Sequence, residues 1–371
     1  FRQAYERACL ELSPIRRTFN SAHWAECVGS SGTLRSIEGL LETHDLGGKG
    51  ITPEGLEKLE KKLLKFKRME DIRLEGLSDG QLGRRLRADG LPLKIGCFDV
   101  RIRSSGLDLA TLARSLYRDY SLADDCGPFD FHVRMASPLV RRFTRPQAVF
   151  HWDGGQPFEP LPAGLAFPLL EWGINWCIAN RAHRYLMLHS ACVEKNGDAV
   201  LFPAWPGHGK TTLCAALINR GWRLLSDEFG LVRPEDDLLQ PVPRPLPLKN
   251  ESIGVIRRFA PDAYLGPIFP KTRKGDVAHM RPPADSMARA EEPAVPRWLV
   301  FPRWVAESQT KLEPMPGPEA FFMVATNAFN YEVRGEAGFR TVTRLVRSCS
   351  AYRLVYSNLE EAVDAVNGLL D

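Results

Sequence analysis

The sequence lacks three patterns that would each define a class of protein. There is no Cys-x-x-Cys pair, no histidine cluster at metal-ligand spacing, and no apolar run approaching the roughly 18 residues that span a bilayer. The chain begins with Phe1 and shows no signal-like apolar segment, which favours a fragment or a processed chain. We therefore expect a reduced, cytoplasmic protein without a zinc site. The eight cysteines are scattered: Cys9, Cys27, Cys97, Cys126, Cys177, Cys192, Cys214 and Cys349.

The sequence also lacks an excess of charge. It has 49 basic and 45 acidic residues among 371, with a formal net charge of +4. This balance gives no reason to expect a nucleic-acid or membrane partner. No internal repeat or low-complexity segment occurs. The length predicts two or three domains, and self-association into a homo-oligomer is left open.

The texture of the chain changes twice. Residues 1–80 are charged and helical in pattern, with Thr52 and Pro53 placed to start a helix that runs to about Phe66. A basic connector at 81–90 is followed by a small α+β region at 91–185, which ends in an aromatic-rich helix at 166–182. Residues 186–371 form the last predicted domain.

The last domain opens with a hairpin signal. Two apolar strands, 186–194 and 198–204, flank an Asn-Gly turn, and the second strand runs directly into a glycine-rich loop. A helix to Arg220 and a strand ending at Asp227 follow, and then two further strands, 229–232 and 238–242. Hairpins around a loop-bearing strand predict an α/β fold with a mixed sheet.

The loop carries most of a phosphate-binding signature. Ala204 stands where the pattern asks for its first glycine, and the other required residues are present. Backbone N–H groups of such a loop, with the start of the following helix, surround a phosphate. In this pattern Lys210 neutralises phosphate oxygens of ATP and the hydroxyl of Thr211 ligates Mg²⁺. The alternative is a glycine-rich turn that binds nothing. The predicted nucleotide-binding residues are Pro206, Gly207, His208, Gly209, Lys210, Thr211 and Thr212.

Two acidic residues follow the next strand. We expect Asp227 and Glu228 to lie close to the loop, where one carboxylate holds Mg²⁺ and one takes a proton during catalysis. The alternative is a pair of ordinary surface acids.

Other candidates are weaker. His189 lies mid-strand beside the loop-bearing strand, where a lone histidine is more often structural, and His208 is more often merely tolerated. A basic set follows the acidic pair and either meets an anionic group or forms a solvated loop. Its members are Arg244, Lys249, Lys271, Arg273, Lys274, His279 and Arg281.

These motifs resemble a known family. The stretches Leu-His-Ser-Ala (188–191), Pro-Gly-His-Gly-Lys-Thr-Thr (206–212) and Arg-Gly-Trp-Arg-Leu-Leu-Ser-Asp-Glu (220–228) are similar to the HPr serine kinase/phosphatase domain, which is related to phosphoenolpyruvate carboxykinase. Residues 91–371 resemble the group called HPr-related kinase A. The resemblance implies a P-loop fold of that type and an ATP-dependent kinase. It also implies Asp227 as base, Glu228 as acidic neighbour, and His189 facing the phosphates. Lys249 and Glu251 depart from the family pattern, which puts a phosphatase reaction in doubt.

Residues 1–80 resemble a different family. Phe-Arg-Gln-Ala-Tyr-Glu-Arg-Ala (1–8) and Val-Gly-Ser-Ser-Gly-Thr-Leu-Arg-Ser-Ile (28–37) are similar to exopolyphosphatases and guanosine pentaphosphatases. The resemblance implies a truncated piece of that family, fused naturally or by gene assembly, without phosphatase activity of its own.

Three functions compete on these observations. The leading hypothesis is an ATP-dependent kinase that phosphorylates a hydroxyl of an unidentified protein, peptide or small molecule. The second is an ATP- and Mg²⁺-binding switch without phosphate transfer, and the third is an interaction module with a vestigial loop. Asp227 and Glu228 favour the first over the third.

Overall fold

The computed structural model describes residues 37, 41, 50–63, 79–125, 127–138 and 145–370. The chain divides into two compact units, one of residues 1–72 and 76–81 and the other of residues 73–75 and 82–371.

The first unit contains helix α1 (Pro53–Leu63). The backbone N–H of Gly55 donates to the Thr52 hydroxyl over 3.0 Å, which satisfies one free donor of the first turn. The predicted helix start is thus confirmed. The Gly-Ser-Ser-Gly-Thr segment at 29–33 lies outside the described residues.

Helix α2 (Asp79–Arg87) covers most of the stretch predicted to be a connector. Leu82 and Leu86 are buried four residues apart, which gives the helix one apolar face.

The second unit begins its sheets with β1 (Leu91–Ile95) and β2 (Phe98–Ser105). They form a hairpin that turns at Gly96. Helix α3 (Ala110–Leu116) follows. Strands β3 (Phe131–Ala136), β4 (Gln147–Trp152) and β5 (Leu161–Pro162) complete a sheet of order β1-β2-β3-β4-β5, with β2 and β3 parallel. A 3₁₀ turn (Ala163–Leu165) leads into α4 (Ala166–Arg181), which confirms the predicted aromatic-rich helix.

The larger sheet is built around the predicted hairpin, β6 (Leu186–Lys195) and β7 (Asp198–Pro203). The turn residues Asn196 and Gly197 have φ values of 58° and 92°, as an Asn-Gly hairpin turn requires. After β7 come α5 (Lys210–Ile218), β8 (Arg223–Ser226), β9 (Phe229–Val232) and β10 (Leu239–Gln240). Helix α5 stops two residues earlier than predicted.

The rest of the sheet comes from the carboxyl-terminal part. Strand β14 (Val295–Trp304) pairs in parallel with both β7 and β16 (Ser350–Tyr356), and β15 (Lys311–Pro314) is antiparallel to β16. The order is β10-β9-β6-β7-β14-β16-β15, with β8 also paired to β6. The predicted mixed α/β sheet is confirmed at this level.

A small third sheet inserts between these parts. It has the order β11-β13-β12, from β11 (Leu246–Lys249), β12 (Phe269–Thr272) and β13 (Gly275–Met280). Helix α6 (Glu251–Phe259) lies between β11 and β12 in sequence, and α7 (Ala284–Ala288) follows β13. The last helices are α8 (Gly317–Thr326), α9 (Tyr331–Ser348) and α10 (Leu359–Asn367).

Alternation along the central strands places apolar groups on both faces of the large sheet. Val200 and Phe202 of β7 pack in one core with α5 and α10, whereas Leu201 packs in a second core with α8 and α9. A strand buried on both faces is rigid. The loop that follows β7 therefore starts from a fixed position.

Among the described residues, no helix is long and apolar enough to cross a membrane. The cytoplasmic location remains a prediction.

Candidate functional site

The loop between β7 and α5 has the backbone that a phosphate-binding turn needs. Gly207 and Gly209 have φ values of 90° and 87°, a conformation that L side chains rarely adopt. Ala204 is buried and is not among the described residues with a positive φ. Alanine in place of the first glycine of the signature therefore causes no strain in the backbone at this position.

Neighbouring strands hold the loop in place. The Tyr356 hydroxyl donates to the carbonyl oxygen of Gly209 over 3.1 Å, and the Trp304 backbone N–H donates to that of His208 over 3.1 Å. Both contacts use carbonyl groups. The loop N–H groups at the start of α5 take no part in these two hydrogen bonds. The helix dipole favours anions at this position.

Lys210 and Thr211 open helix α5. The Lys210 side chain is buried, and its ammonium has no hydrogen-bond partner among the described residues. Burial lowers the pKa of Lys210, against the attraction of Glu228 and Asp227. The Thr211 hydroxyl donates to Oδ2 of Asp227 over 3.0 Å.

Asp227 and Glu228 lie between β8 and β9, and both of these strands pair with β6. Strands β8 and β9 thus follow one another along the same edge of β6. The two acidic residues lie between them and face the loop. Burial, and then the negative charge of Glu228, raise the pKa of Asp227 to about 7. Oδ1 of Asp227 has no hydrogen-bond partner among the described residues.

The pKa of Glu228 shifts in the opposite direction. Burial alone would raise its pKa, but a hydrogen bond with His189 and the charges of Lys210 and Lys249 outweigh burial and lower it. Oε2 of Glu228 lies 3.6 Å from Nε2 of His189. The two carboxyl groups are thus set for different protonation states at neutral pH.

The structure therefore brings His189, Lys210, Thr211, Asp227 and Glu228 together. Pro206 and Gly207 are exposed on the loop, and His208 and Thr212 are half-buried. No group of three or more His, Cys, Asp or Glu side chains that could hold a metal ion occurs within the described ranges. The roles predicted for these residues remain predictions.

Most of the predicted basic set also converges. One cavity of about 300 Å³ opens beside Asp227 and Glu228. Arg281 is outside its lining; its guanidinium lies 3.9 Å from Asp119. The basic residues that line the cavity are Arg244, Lys249, Lys271, Arg273, Lys274 and His279.

Sequence reasoning missed two polar residues that also line the cavity. Glu171 and Asn175 of α4 line the cavity and both contact Arg244. Their signal was polarity: two polar residues four positions apart on an otherwise apolar helix face the same way.

Comparison with known proteins finds relatives named guanosine-5'-triphosphate,3'-diphosphate pyrophosphatase. The protein of Aeromonas hydrophila is 25% identical over 248 residues, which cover 62% of this chain and 46% of the relative. That of Aliivibrio fischeri is 27% identical over 291 residues, covering 75% and 55%. That of Vibrio atlanticus is 28% identical over 147 residues, covering 38% and 28%. No family model matches the chain.

These relatives agree with the second resemblance, to exopolyphosphatases and guanosine pentaphosphatases. Each aligned stretch is longer than residues 1–80, the segment for which this resemblance was predicted. The chain spans about half or less of the length of these relatives. No comparison supports the HPr kinase resemblance.

The kinase prediction is contradicted. The relatives are named as pyrophosphatases, which are hydrolases, whereas a kinase transfers phosphate to an acceptor other than water. The serine-kinase type of enzyme and the transferase class are overturned with it, and ATP as the ligand has no support from the comparisons.

Proposed function

We propose that the second unit binds a nucleoside polyphosphate on the loop before α5 and hydrolyses its terminal phosphoanhydride bond. The observation that carries the proposal is the buried ammonium of Lys210 at the start of a helix, which has no hydrogen-bond partner in the described part of the chain. A buried charge without a partner opposes folding, so it is retained where a ligand completes its contacts. The hydrolase names of the relatives support hydrolysis over transfer.

The chain's own groups suffice to grip the phosphates. Gly207 and Gly209 let the loop curve, and free N–H groups at the start of α5 point toward an anion. Lys210 adds a charge-assisted hydrogen bond to a phosphate oxygen.

Magnesium fits the oxygen donors beside this loop. Thr211 Oγ1 would hold the ion together with phosphate oxygens, and Asp227, whose Oδ2 accepts from that hydroxyl over 3.0 Å, would orient the hydroxyl toward it. When bound, the ion neutralises charge on the phosphates and orients them. A site of this kind does not need a cluster of three carboxylates.

Asp227 is the group suited to take a proton. Its pKa near 7 lets it accept the proton of an attacking water, while Glu228 stays ionised beside His189. The water oxygen bonds to the terminal phosphorus, the bridging P–O bond breaks, and the shortened nucleotide leaves with the bonding electron pair. The proton on Asp227 then passes to solvent.

The test is phosphate release by the full chain. The substrates are GTP, ATP, guanosine 5'-triphosphate 3'-diphosphate and inorganic triphosphate, each with and without Mg²⁺. We expect Mg²⁺-dependent release by the wild type and by Lys311→Met, an exposed control. Lys210→Met should abolish it. Release that survives Lys210→Met would refute this site, and binding without release would refute hydrolysis.

A further inference from the structure

The cavity beside the acidic pair is larger than the hydrolysis of a phosphate by water requires. It measures about 300 Å³ and extends from Asp227 to the α4 helix and the small third sheet. A volume of this order holds a small organic molecule.

One end of the cavity is a buried polar cluster. Arg244 donates to the carboxylate of Glu171 over 2.5 Å and to the side chain of Asn175, and Tyr117 also donates to Glu171. Arg244 and Glu171 are both more than nine-tenths buried. Their ion pair holds the charged guanidinium of Arg244 in the cavity wall before a ligand binds.

Two buried donor or acceptor atoms at this end lack a partner. Nε of Arg244 and Nδ1 of His279 have no hydrogen bond among the described residues, and His279 is only 2% exposed. The His279 ring is held between Phe167 and Phe269, with ring centroids 5.3 and 6.2 Å away. Unsatisfied buried polar atoms are rare, and a ligand would satisfy these.

A basic rim of four residues gives the cavity lining an excess of positive over negative charge. Lys249, Lys271, Arg273 and Lys274 line it, and none forms an ion pair within 4.0 Å with an acidic side chain in the part of the chain that the structure describes. Asp227 and Glu228 also line the cavity, and the charge of Lys249 favours the ionised form of both carboxylates. The rim therefore favours an anion.

Apolar groups form the remaining walls. Leu165, Leu169 and Trp172 of the α4 region line the cavity, as do Val242 and Val277. Such walls favour a hydrocarbon or aromatic body over a bare ion, because burying apolar surface stabilises the complex.

We propose that this cavity is a second binding site, distinct from the phosphate-binding loop, for a small organic anion with one phosphate or carboxylate group on an apolar body. The anionic group meets Lys249 and the rim, and the apolar body lies between α4 and the third sheet. The inference concerns binding and does not depend on hydrolysis.

The probe is a fluorinated phenyl phosphate, followed by fluorine NMR on the full chain, with fluorinated benzoate, benzyl alcohol and inorganic phosphate as comparisons. We expect saturable binding of the two aromatic anions. Preference between them identifies the anionic group. Inorganic phosphate competing equally well would reduce the cavity to an anion patch and overturn the proposal, as would equal binding of the neutral alcohol.

Variants locate the binding. Lys249→Gln should weaken the aromatic anions about tenfold, the loss expected for one charge-assisted hydrogen bond. Leu165→Trp should block them by filling the space. Arg257→Gln, exposed and outside the lining, should change nothing. Lys210→Met should also leave binding unchanged; loss of binding in that variant would place the probe on the loop and overturn the proposal.

Discussion

Replacing Lys210 by methionine removes an ammonium group while keeping the length of the side chain. In the ligand-free protein this ammonium is buried and unpartnered among the described residues, and burial lowers its pKa. Its positive charge therefore opposes folding. We expect Lys210→Met to raise the free energy of unfolding by about 1–3 kcal/mol, the cost of leaving such a group unsatisfied.

The same substitution should weaken nucleotide binding. A charge-assisted hydrogen bond to phosphate contributes roughly 1.5–3 kcal/mol, so affinity should fall about tenfold to a hundredfold. The substitution should therefore raise the free energy of unfolding and lower nucleotide affinity, and this opposition is the essential feature. A residue kept for folding would give a destabilised protein, whereas a residue kept for a ligand gives a more stable protein that binds less.

The assays are urea unfolding followed by tryptophan fluorescence and calorimetric titration with GTP or ATP in the presence of Mg²⁺. Lys311→Met, an exposed lysine of β15, serves as the matched control and should alter neither quantity. A Lys210→Met protein that is less stable and binds nucleotide as tightly as the wild type would refute the reasoning.

Three further predictions rest on individual contacts. Thr211→Val should raise the Mg²⁺ concentration for half-maximal activity about tenfold, measured by metal titration, because it removes a hydroxyl ligand; an unchanged midpoint would exclude Thr211 as a ligand. Burial, assisted by nearby positive charge, lowers the pKa of His279 from 6.5 to about 4, so native-state stability is full above pH 6.5 and is lost as pH falls toward 4. Relative to His279→Leu, the wild type should lose about 2 kcal/mol of unfolding free energy between pH 7 and pH 5 in urea titrations, and parallel pH profiles would contradict this. Gly209→Ala should destabilise by about 1–3 kcal/mol, since an added Cβ meets the Tyr356 hydroxyl at a strained φ, and thermal unfolding should show a smaller loss for Gly207→Ala, which has open space; equal losses would mean that the clash is relieved.

Local signals predicted the parts of the fold that local chemistry determines. The Asn-Gly turn at 196–197 fixed the hairpin, and the glycine spacing at 207 and 209 fixed the loop. The paired acids after β8 were placed correctly beside the loop, because consecutive elements around a loop-bearing strand usually lie adjacent.

Long-range features were less accessible. Nothing near Arg244 in the sequence indicates that Glu171, 73 residues away, pairs with it. The cavity between α4 and the third sheet exists only through that distant packing. The helix at 79–87 was not predicted, because its arginines masked the buried pair Leu82 and Leu86.

The kinase assignment failed for a different reason. In the proposed site Lys210, Thr211 and Asp227 would hold phosphate and magnesium, and the same groups serve hydrolysis and transfer alike. These residues would determine how the phosphates are bound, whereas the acceptor is whichever molecule reaches the phosphorus atom. Only the names of the relatives separate water from another acceptor.

The central claim is that Asp227 assists hydrolysis at this loop, and phosphate release by Asp227→Asn tests it most directly. Asparagine keeps the shape of the side chain but cannot take a proton from water at neutral pH. With Mg²⁺ and saturating nucleotide, we predict release roughly 10²- to 10⁴-fold slower than in the wild type, with nucleotide affinity within about threefold. Asp364→Asn, on the exposed face of α10, should match the wild type. Release by Asp227→Asn at the wild-type rate would contradict the account.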